Sequence, residues 1–217
     1  MKTEIRAVFF DFGGVFTDSP FHAFSAYAER IGASAKQVNE IVFGGYGVDG
    51  DHPWHRVERG EITLEKARED IMALGRDQDL NVDIWEVFMA MSENGGGLRE
   101  ELVAYVSTIR TAGYSTGIIT NNVVEFKEHW RSMLPVDELF DFVVDSSEVG
   151  MRKPNPAIFE KALEIGGFSA EQVIFLDDFE GNVIAAEALS IRSLLVDGDG
   201  AKTVADLDAI LRLKEKL

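Results

Sequence analysis

The sequence predicts an α/β protein, a doubly wound parallel sheet with a helical block inserted after its first strand. Three observations carry this. From residue 98 onward, short apolar runs alternate with amphipathic helical segments. That pattern gives a parallel sheet covered on both faces. Another apolar run, Ala7–Phe10, stands alone near the N-terminus and ends at once in Asp11. Between the two, the periodicity is helical and no convincing strand intervenes. With 217 residues the chain is long enough for such a core and a smaller insertion. The expected division is a core of residues 1–15 and 98–217 with an inserted helical cap of residues 16–97. The cap leaves the sheet at its strand-end edge, where it can act as a lid.

Ala7–Phe10 reads as a fully buried strand, since a brief apolar run bounded by glycines needs both faces covered. Gly13 and Gly14 behind it permit a tight turn and close approach to the backbone. Phe21–Gly32 places Phe24, Tyr27, Ala28 and Ile31 at helical spacing, closed by Gly32. Ala35–Phe43 repeats the pattern with Val38, Ile41 and Val42. Gly44–Pro53 is rich in turn formers and reads as a loop. His52 and His55 read as loop or helix-start histidines, because no third metal ligand is evident beside them. Thr63 caps a helix to about Leu74 that stops at Gly75. Asp83–Met91 sets Ile84, Val87, Phe88 and Met91 on one face for core packing, and Gly95–Gly97 breaks the chain.

The second half supplies Arg99–Ala112 as a helix, with Leu102, Val106 and Ile109 inward and Gly113 as its stop. Ser115–Thr120 is a strand, Val123–Leu134 a helix and Phe140–Asp145 a strand. Asn155 and Pro156 begin a helix as cap and first residue, and Gly166–Gly167 ends it. Val173–Leu176 is a strand leading to Asp177 and Asp178. Gly181–Leu189 is helical and Arg192–Val196 is the fifth strand. Thr203 is expected to cap the last helix. Asp206 and Asp208 then fall early, and Arg212, Lys214 and Lys216 late, which suits the helix dipole.

Composition narrows the function. The formal net charge is −17, from 21 basic and 38 acidic residues. That argues against an extended polyanion-binding surface such as nucleic acid demands. A small phosphorylated ligand needs only a local positive site and stays open. The chain has no cysteine, which excludes disulfides, thiolate catalysis and zinc–sulfur centres and fits a cytoplasmic protein. The first apolar run is too short for a secretory signal, and no run of about 18 apolar residues offers a membrane span.

Four polar sites follow apolar strands or precede a helix: Asp11, Thr120-Asn121, Lys153 and Asp177-Asp178. In a parallel sheet all strand C-termini share one edge, where ligands bind. Each site alone has an ordinary reading, as a turn, a helix cap or a surface lysine. Together, in this order, they make a phosphoryl-transfer site. It would combine a carboxylate nucleophile, a hydroxyl donor, an ammonium and a second carboxylate. Two carboxylates and a backbone carbonyl can hold Mg²⁺, which neutralises phosphate charge. Lys153 and Thr120 would meet the oxygens that gain charge in the transition state.

On these motifs the chain resembles the haloacid dehalogenase (HAD) superfamily, in its subfamily with a helical cap between the first two motifs. Asp11-Phe12-Gly13-Gly14-Val15 matches the first motif and Thr120-Asn121 the second. Lys153 in GMRKPNP matches the third, and Asp177-Asp178 with Asn182 in FLDDFEGN the fourth. The cap run Trp54–Thr63, with VGMRKP and FLDD, looks most like the phosphatase domain of soluble epoxide hydrolase and its relatives. The resemblance implies a HAD-like Rossmannoid core with strand order 3-2-1-4-5. It implies an aspartyl-phosphate mechanism on a small phosphorylated metabolite, as a phosphoric monoester hydrolase. It further implies Asp11 as nucleophile and Mg²⁺ held by Asp11, the Gly13 carbonyl and Asp178. Asp177 and Asn182 would support that shell, and Thr120, Asn121 and Lys153 would bind phosphate. A monomer or homodimer is expected.

One departure matters. HAD phosphatases usually carry a second Asp two residues after the nucleophile, which protonates the leaving group and then activates water. Here that position is Gly13. General acid–base help is worth about 10²–10⁴-fold, so slow turnover is expected unless another group substitutes. Asp18, His22 and His55 are candidates by chemistry alone. Two other readings stay open: haloacid dehalogenation, which needs no Mg²⁺, and a non-catalytic protein that binds a phospholigand.

Overall fold

The computed structural model describes residues 3–18, 24–94 and 97–212. Five parallel strands form the sheet: β1 (Ala7–Phe10), β2 (Ser115–Thr120), β3 (Phe142–Asp145), β4 (Val173–Asp177) and β5 (Arg192–Leu195). Their order is β3-β2-β1-β4-β5, as the family resemblance implied. β1 is central and wholly buried. Its residues alternate between the two faces. Val8 and Phe10 join one cluster with Ile118, Ile174 and Leu176. Ala7 and Phe9 join another with Ile119, Val173 and Phe175. Burial on both sides explains why these strands read as continuous apolar runs rather than alternating ones.

Helices α1 (Phe24–Arg30), α2 (Ala35–Phe43), α3 (Pro53–Glu58), α4 (Leu64–Arg76) and α5 (Ile84–Asn94) follow β1. They pack about a third apolar cluster that holds Tyr27, Ile41, Val57, Ile71 and Val87. α6 (Glu100–Thr111) leads back to the sheet. α7 (Lys127–Ser132) and α8 (Val136–Leu139) lie between β2 and β3, and α9 (Ser146–Val149) and α10 (Pro156–Gly166) between β3 and β4. α11 (Glu180–Ala188) precedes β5, and α12 (Gly200–Leu211) follows it. The first sheet cluster takes Leu102, Val106 and Ile109 of α6 and Leu207 of α12. The second takes Ile158, Phe159 and Ala162 of α10 and Ala186 of α11. Helices therefore cover both faces. No helix among the described residues is long and apolar enough to cross a membrane.

Several local expectations change. Gly44–Pro53 is shorter as a loop, because His52 caps α3 through Nδ1 and Pro53 is its first residue. Both histidines thus belong to a helix start. α4 keeps its Thr63 cap but runs through buried Gly75 to Arg76. Residues 123–134 divide into a short 3-10 turn, Val124–Phe126, and α7. α12 is capped by Asp199, not Thr203: the Asp199 side chain accepts the Lys202 N–H at 2.9 Å. Thr203 sits in the first turn and its hydroxyl donates to the Asp199 carbonyl at 2.8 Å. With that earlier start, Asp206 and Asp208 leave the first turn and Arg212 becomes the left-handed C-cap. Lys214 and Lys216 lie outside the described residues.

Candidate active site

Asp11 follows β1 directly, and its backbone N–H donates to the Leu176 carbonyl at 2.8 Å. The residue is only 9% exposed. Its Oδ1 accepts the Phe12 N–H at 2.7 Å and lies 2.9 Å from the Lys153 ammonium. Lys153, wholly buried, reaches Asp177 Oδ2 at 2.6 Å on its other side. The Asp177 carboxylate also accepts the Phe179 N–H at 2.8 Å and the Asn182 amide at 3.0 Å on both oxygens. Asp177 and Asn182 thus hold Lys153 in place. Asn121 holds the same lysine by its backbone, donating to the Lys153 carbonyl at 2.9 Å and accepting its N–H at 2.8 Å. Thr120, the buried last residue of β2, precedes Asn121 at this edge.

Asp178 closes the group. One carboxylate oxygen from each of Asp11, Asp177 and Asp178 falls within 4.8 Å of the others. The turn after β1 is shaped around Asp178. Gly14 has φ +75, and a Cβ there would stand 2.0 Å from the Asp178 Cγ. No side chain fits at Gly14. Gly13 differs: a Cβ at that position meets nothing within 4 Å, so the family's usual Asp is absent with no neighbour standing in the place of its Cβ.

Electrostatics follow from burial. Asp11 is pushed up to about 8, first by burial and then by Asp177 and Asp178, with Lys153 opposing. Burial pulls Lys153 down, but Asp11 and Asp177 outweigh it, and its pKa ends above the usual lysine value. Asp11 and Asp177 therefore share one ammonium, with the Asp178 carboxylate beside them. Oxygen donors with excess negative charge fit a hard divalent cation such as Mg²⁺.

Three further groups organise the site, and none stood out in the sequence. Arg99 lies just before α6. Its Nη1 donates to the carbonyls of Gly14 at 2.6 Å, Val15 at 2.7 Å and also Thr17. It ties the turn behind Asp11 to the point where the chain returns from the helical block. Arg152, beside Lys153, is wholly buried. Its Nε pairs with Glu58 Oε2 of α3 at 2.6 Å, and its Nη1 donates to the Val48 carbonyl at 2.6 Å. Tyr46 completes the set. Its ring meets Phe179 at 5.1 Å, and the Arg152 guanidinium lies 5.0 Å over it. An aromatic residue in a glycine-rich loop was the one available signal for Tyr46.

Of the candidates for the missing acid, Asp18 is half exposed and pairs with Arg99 at 3.3 Å. His55 is buried with both ring nitrogens engaged. One accepts the Gly50 N–H at 3.0 Å, and the other lies 2.9 Å from the Phe43 carbonyl. Neither reaches the carboxylate group by any of these contacts. His22 lies outside the described residues.

Comparison with known proteins agrees with this geometry. A family model described as haloacid dehalogenase-like hydrolase matches residues 5–189. The chain is 32% identical over 210 residues to acyl-CoA dehydrogenase family member 10 of Mus musculus, covering 95% of this chain and 19% of that one. It is 28% identical over 226 residues to bifunctional epoxide hydrolase 2 of Sus scrofa, covering 98% of this chain and 39% of the relative. It thus spans about a fifth and two fifths of those relatives. A phosphoglycolate phosphatase of Colwellia psychrerythraea is 24% identical over 198 residues, with 88% and 84% covered. Among solved structures, a HAD family enzyme of Bacteroides thetaiotaomicron in complex with magnesium and inorganic phosphate superposes with a TM-score of 0.63. It is 19% identical, and 92% and 98% of the two chains are covered. The chain belongs to the haloacid dehalogenase-like hydrolases.

Proposed function

We propose that the chain is a Mg²⁺-dependent phosphatase that acts on a small phosphorylated metabolite through an aspartyl phosphate on Asp11. The observation that carries this is the three-carboxylate group, two members of which, Asp11 and Asp177, are bridged by one buried ammonium. A monoanionic haloacid would not call for so much negative charge around the nucleophile. Asp11, the Gly13 carbonyl and Asp178 would hold the ion. Bound there, it offsets the charge of the carboxylates and the phosphate as they approach. The Asp11 carboxylate attacks phosphorus and the ester oxygen leaves. Lys153 and Thr120 face the phosphate oxygens, and Asp177, Asn182 and Asn121 hold Lys153 in register. Water then cleaves the aspartyl phosphate. A relative named phosphoglycolate phosphatase and a neighbour bound to magnesium and inorganic phosphate support the reading.

The test is hydrolysis of 4-nitrophenyl phosphate and a panel of phosphorylated metabolites with Mg²⁺ or excess chelator. Wild type should turn over and Asp11→Asn should not, with its circular dichroism unchanged. Chloride release from a chloroacid in chelator would favour dehalogenation instead. Gly13 specifically favours one other reading, a protein that binds a phospholigand without catalysis. It would show orthophosphate binding with no Asp11-dependent turnover.

A further inference from the structure

The vacancy at Gly13 leaves the leaving group without a proton donor from the first motif. The helical block offers one. Tyr46 lies in the loop between α2 and α3, and this loop rests on the fourth-motif turn. A Cβ on Gly181 would stand 3.6 Å from the Gly47 Cα, and Phe179 stacks edge-on against Tyr46. The Tyr46 hydroxyl donates to Glu58 Oε1 at 3.5 Å, the long end for a hydrogen bond. The Asn121 side chain lies close enough to favour the ionised form of the same hydroxyl. Tyr46 thus bridges the second and fourth motifs, and it is partly open to solvent.

We propose that the Tyr46 hydroxyl donates the proton to the leaving-group oxygen, taking the part for which Gly13 has no side chain. This rests on the phosphatase reading above. In the first half-reaction an Asp11 oxygen bonds to phosphorus. The phosphorus–ester oxygen bond breaks, its electron pair stays on the ester oxygen, and the Tyr46 proton moves there. Alcohol, aspartyl phosphate and the Tyr46 phenolate result. In the second, water oxygen bonds to phosphorus and the bond to Asp11 breaks, restoring the carboxylate. The proton from water returns to Tyr46.

The surroundings suit both halves. Burial and the Glu58 carboxylate push the phenol well above its usual pKa, so the proton is in place at rest. Once it leaves, the Asn121 amide and the Arg152 guanidinium stabilise the phenolate. Glu58, Arg152 and Asp11 are charged groups that act on the hydroxyl. Asp18 and His55 are committed elsewhere.

The experiment compares wild type, Tyr46→Phe and Asp11→Asn on an alkyl phosphate and on 4-nitrophenyl phosphate. Calorimetric titration with inorganic phosphate runs alongside. Nitrophenolate leaves without a proton, whereas an alkoxide does not. Tyr46→Phe should lose about 10²-fold or more on the alkyl ester. It should stay within a few-fold on the nitrophenyl ester and bind inorganic phosphate as wild type does. Equal losses on both esters, no loss on either, or a loss matched by weaker phosphate binding would overturn the proposal. Wild-type turnover that survives Asp11→Asn would sink the phosphatase reading itself, and the tyrosine's role with it. That result appears in the Asp11 arm alone and is told apart there.

Discussion

Two adjacent glycines just beyond Asp11 have opposite constraints. Gly14 cannot carry a side chain, because the Asp178 carboxylate occupies the place of its Cβ and its φ is positive. Gly13 can, since its Cβ position is open and its φ lies outside the left-handed region. Gly13→Asp should therefore fold normally and, in a Tyr46→Phe background, raise turnover of alkyl phosphates, with little change on 4-nitrophenyl phosphate. A gain of about 10-fold or more would be visible, given the 10²–10⁴-fold range of general acid catalysis. No gain on alkyl esters would mean that the missing Asp does not limit turnover. Asp11, Thr120-Asn121 and Asp177-Asp178 were legible in the sequence because each sits where an apolar strand stops, and strand ends share an edge; Lys153 was legible just ahead of the Asn155–Pro156 helix start. Tyr46, Arg99 and Arg152 were not. Their roles depend on tertiary contacts across 80 or more positions, as from Arg152 to Glu58 or from Arg99 to Val15. No local pattern marks such a partner.

At the scale of elements, what holds the helical block against the sheet is polar as well as apolar. The Glu58–Arg152 pair joins α3 to the third-motif loop, with side chains 3% and 0% exposed. Within α3, Trp54 Nε1 donates to Glu58 at 2.8 Å and orients it, while Asn155 donates across to Asp49 at 2.9 Å. Glu125 accepts the Leu64 N–H at 2.8 Å at the start of α4. Removing one partner of a buried pair leaves the other charge uncompensated, at a cost of about 3–5 kcal/mol. Glu58→Ala should lower stability by that amount in urea unfolding, and Glu58→Leu with Arg152→Met should recover much of it. A Glu58→Ala midpoint equal to wild type would show that the pair carries no such weight. The five strands and the long helices were legible because period and breakers agree over many residues. α8 and α9 were missed because each has four residues, too few for a period. Asp199 was missed as a cap because a glycine follows it, where a loop reads equally well.

For the molecule as a whole, pH acts through groups of opposite sign. Asp11 binds its proton more tightly when folded, its carboxyl being held near 8. In metal-free protein its contribution falls as pH rises from about 4 to 8. His55 runs the other way. Burial, then Arg152 and His52, bring its pKa down to about 4 from 6.5. Between those values the unfolded chain binds the proton and the folded chain does not. Stability from His55 is complete above pH 6.5, falls as pH drops toward 4 and then levels off. Its neutral ring joins the Phe43 carbonyl to the Gly50 N–H, so charging it strains the loop that carries Tyr46. Because Asp11 opposes it in the same window, the bare pH profile would hide His55. The difference between wild type and His55→Gln, in chelator, isolates it. That difference should shrink by up to about 3 kcal/mol from pH 7 to pH 4, on 1.36 kcal/mol per pKa unit. Urea midpoints at the two pH values measure it. A difference independent of pH would mean that His55 titrates alike in both states and that its burial sets no acid limit on the fold.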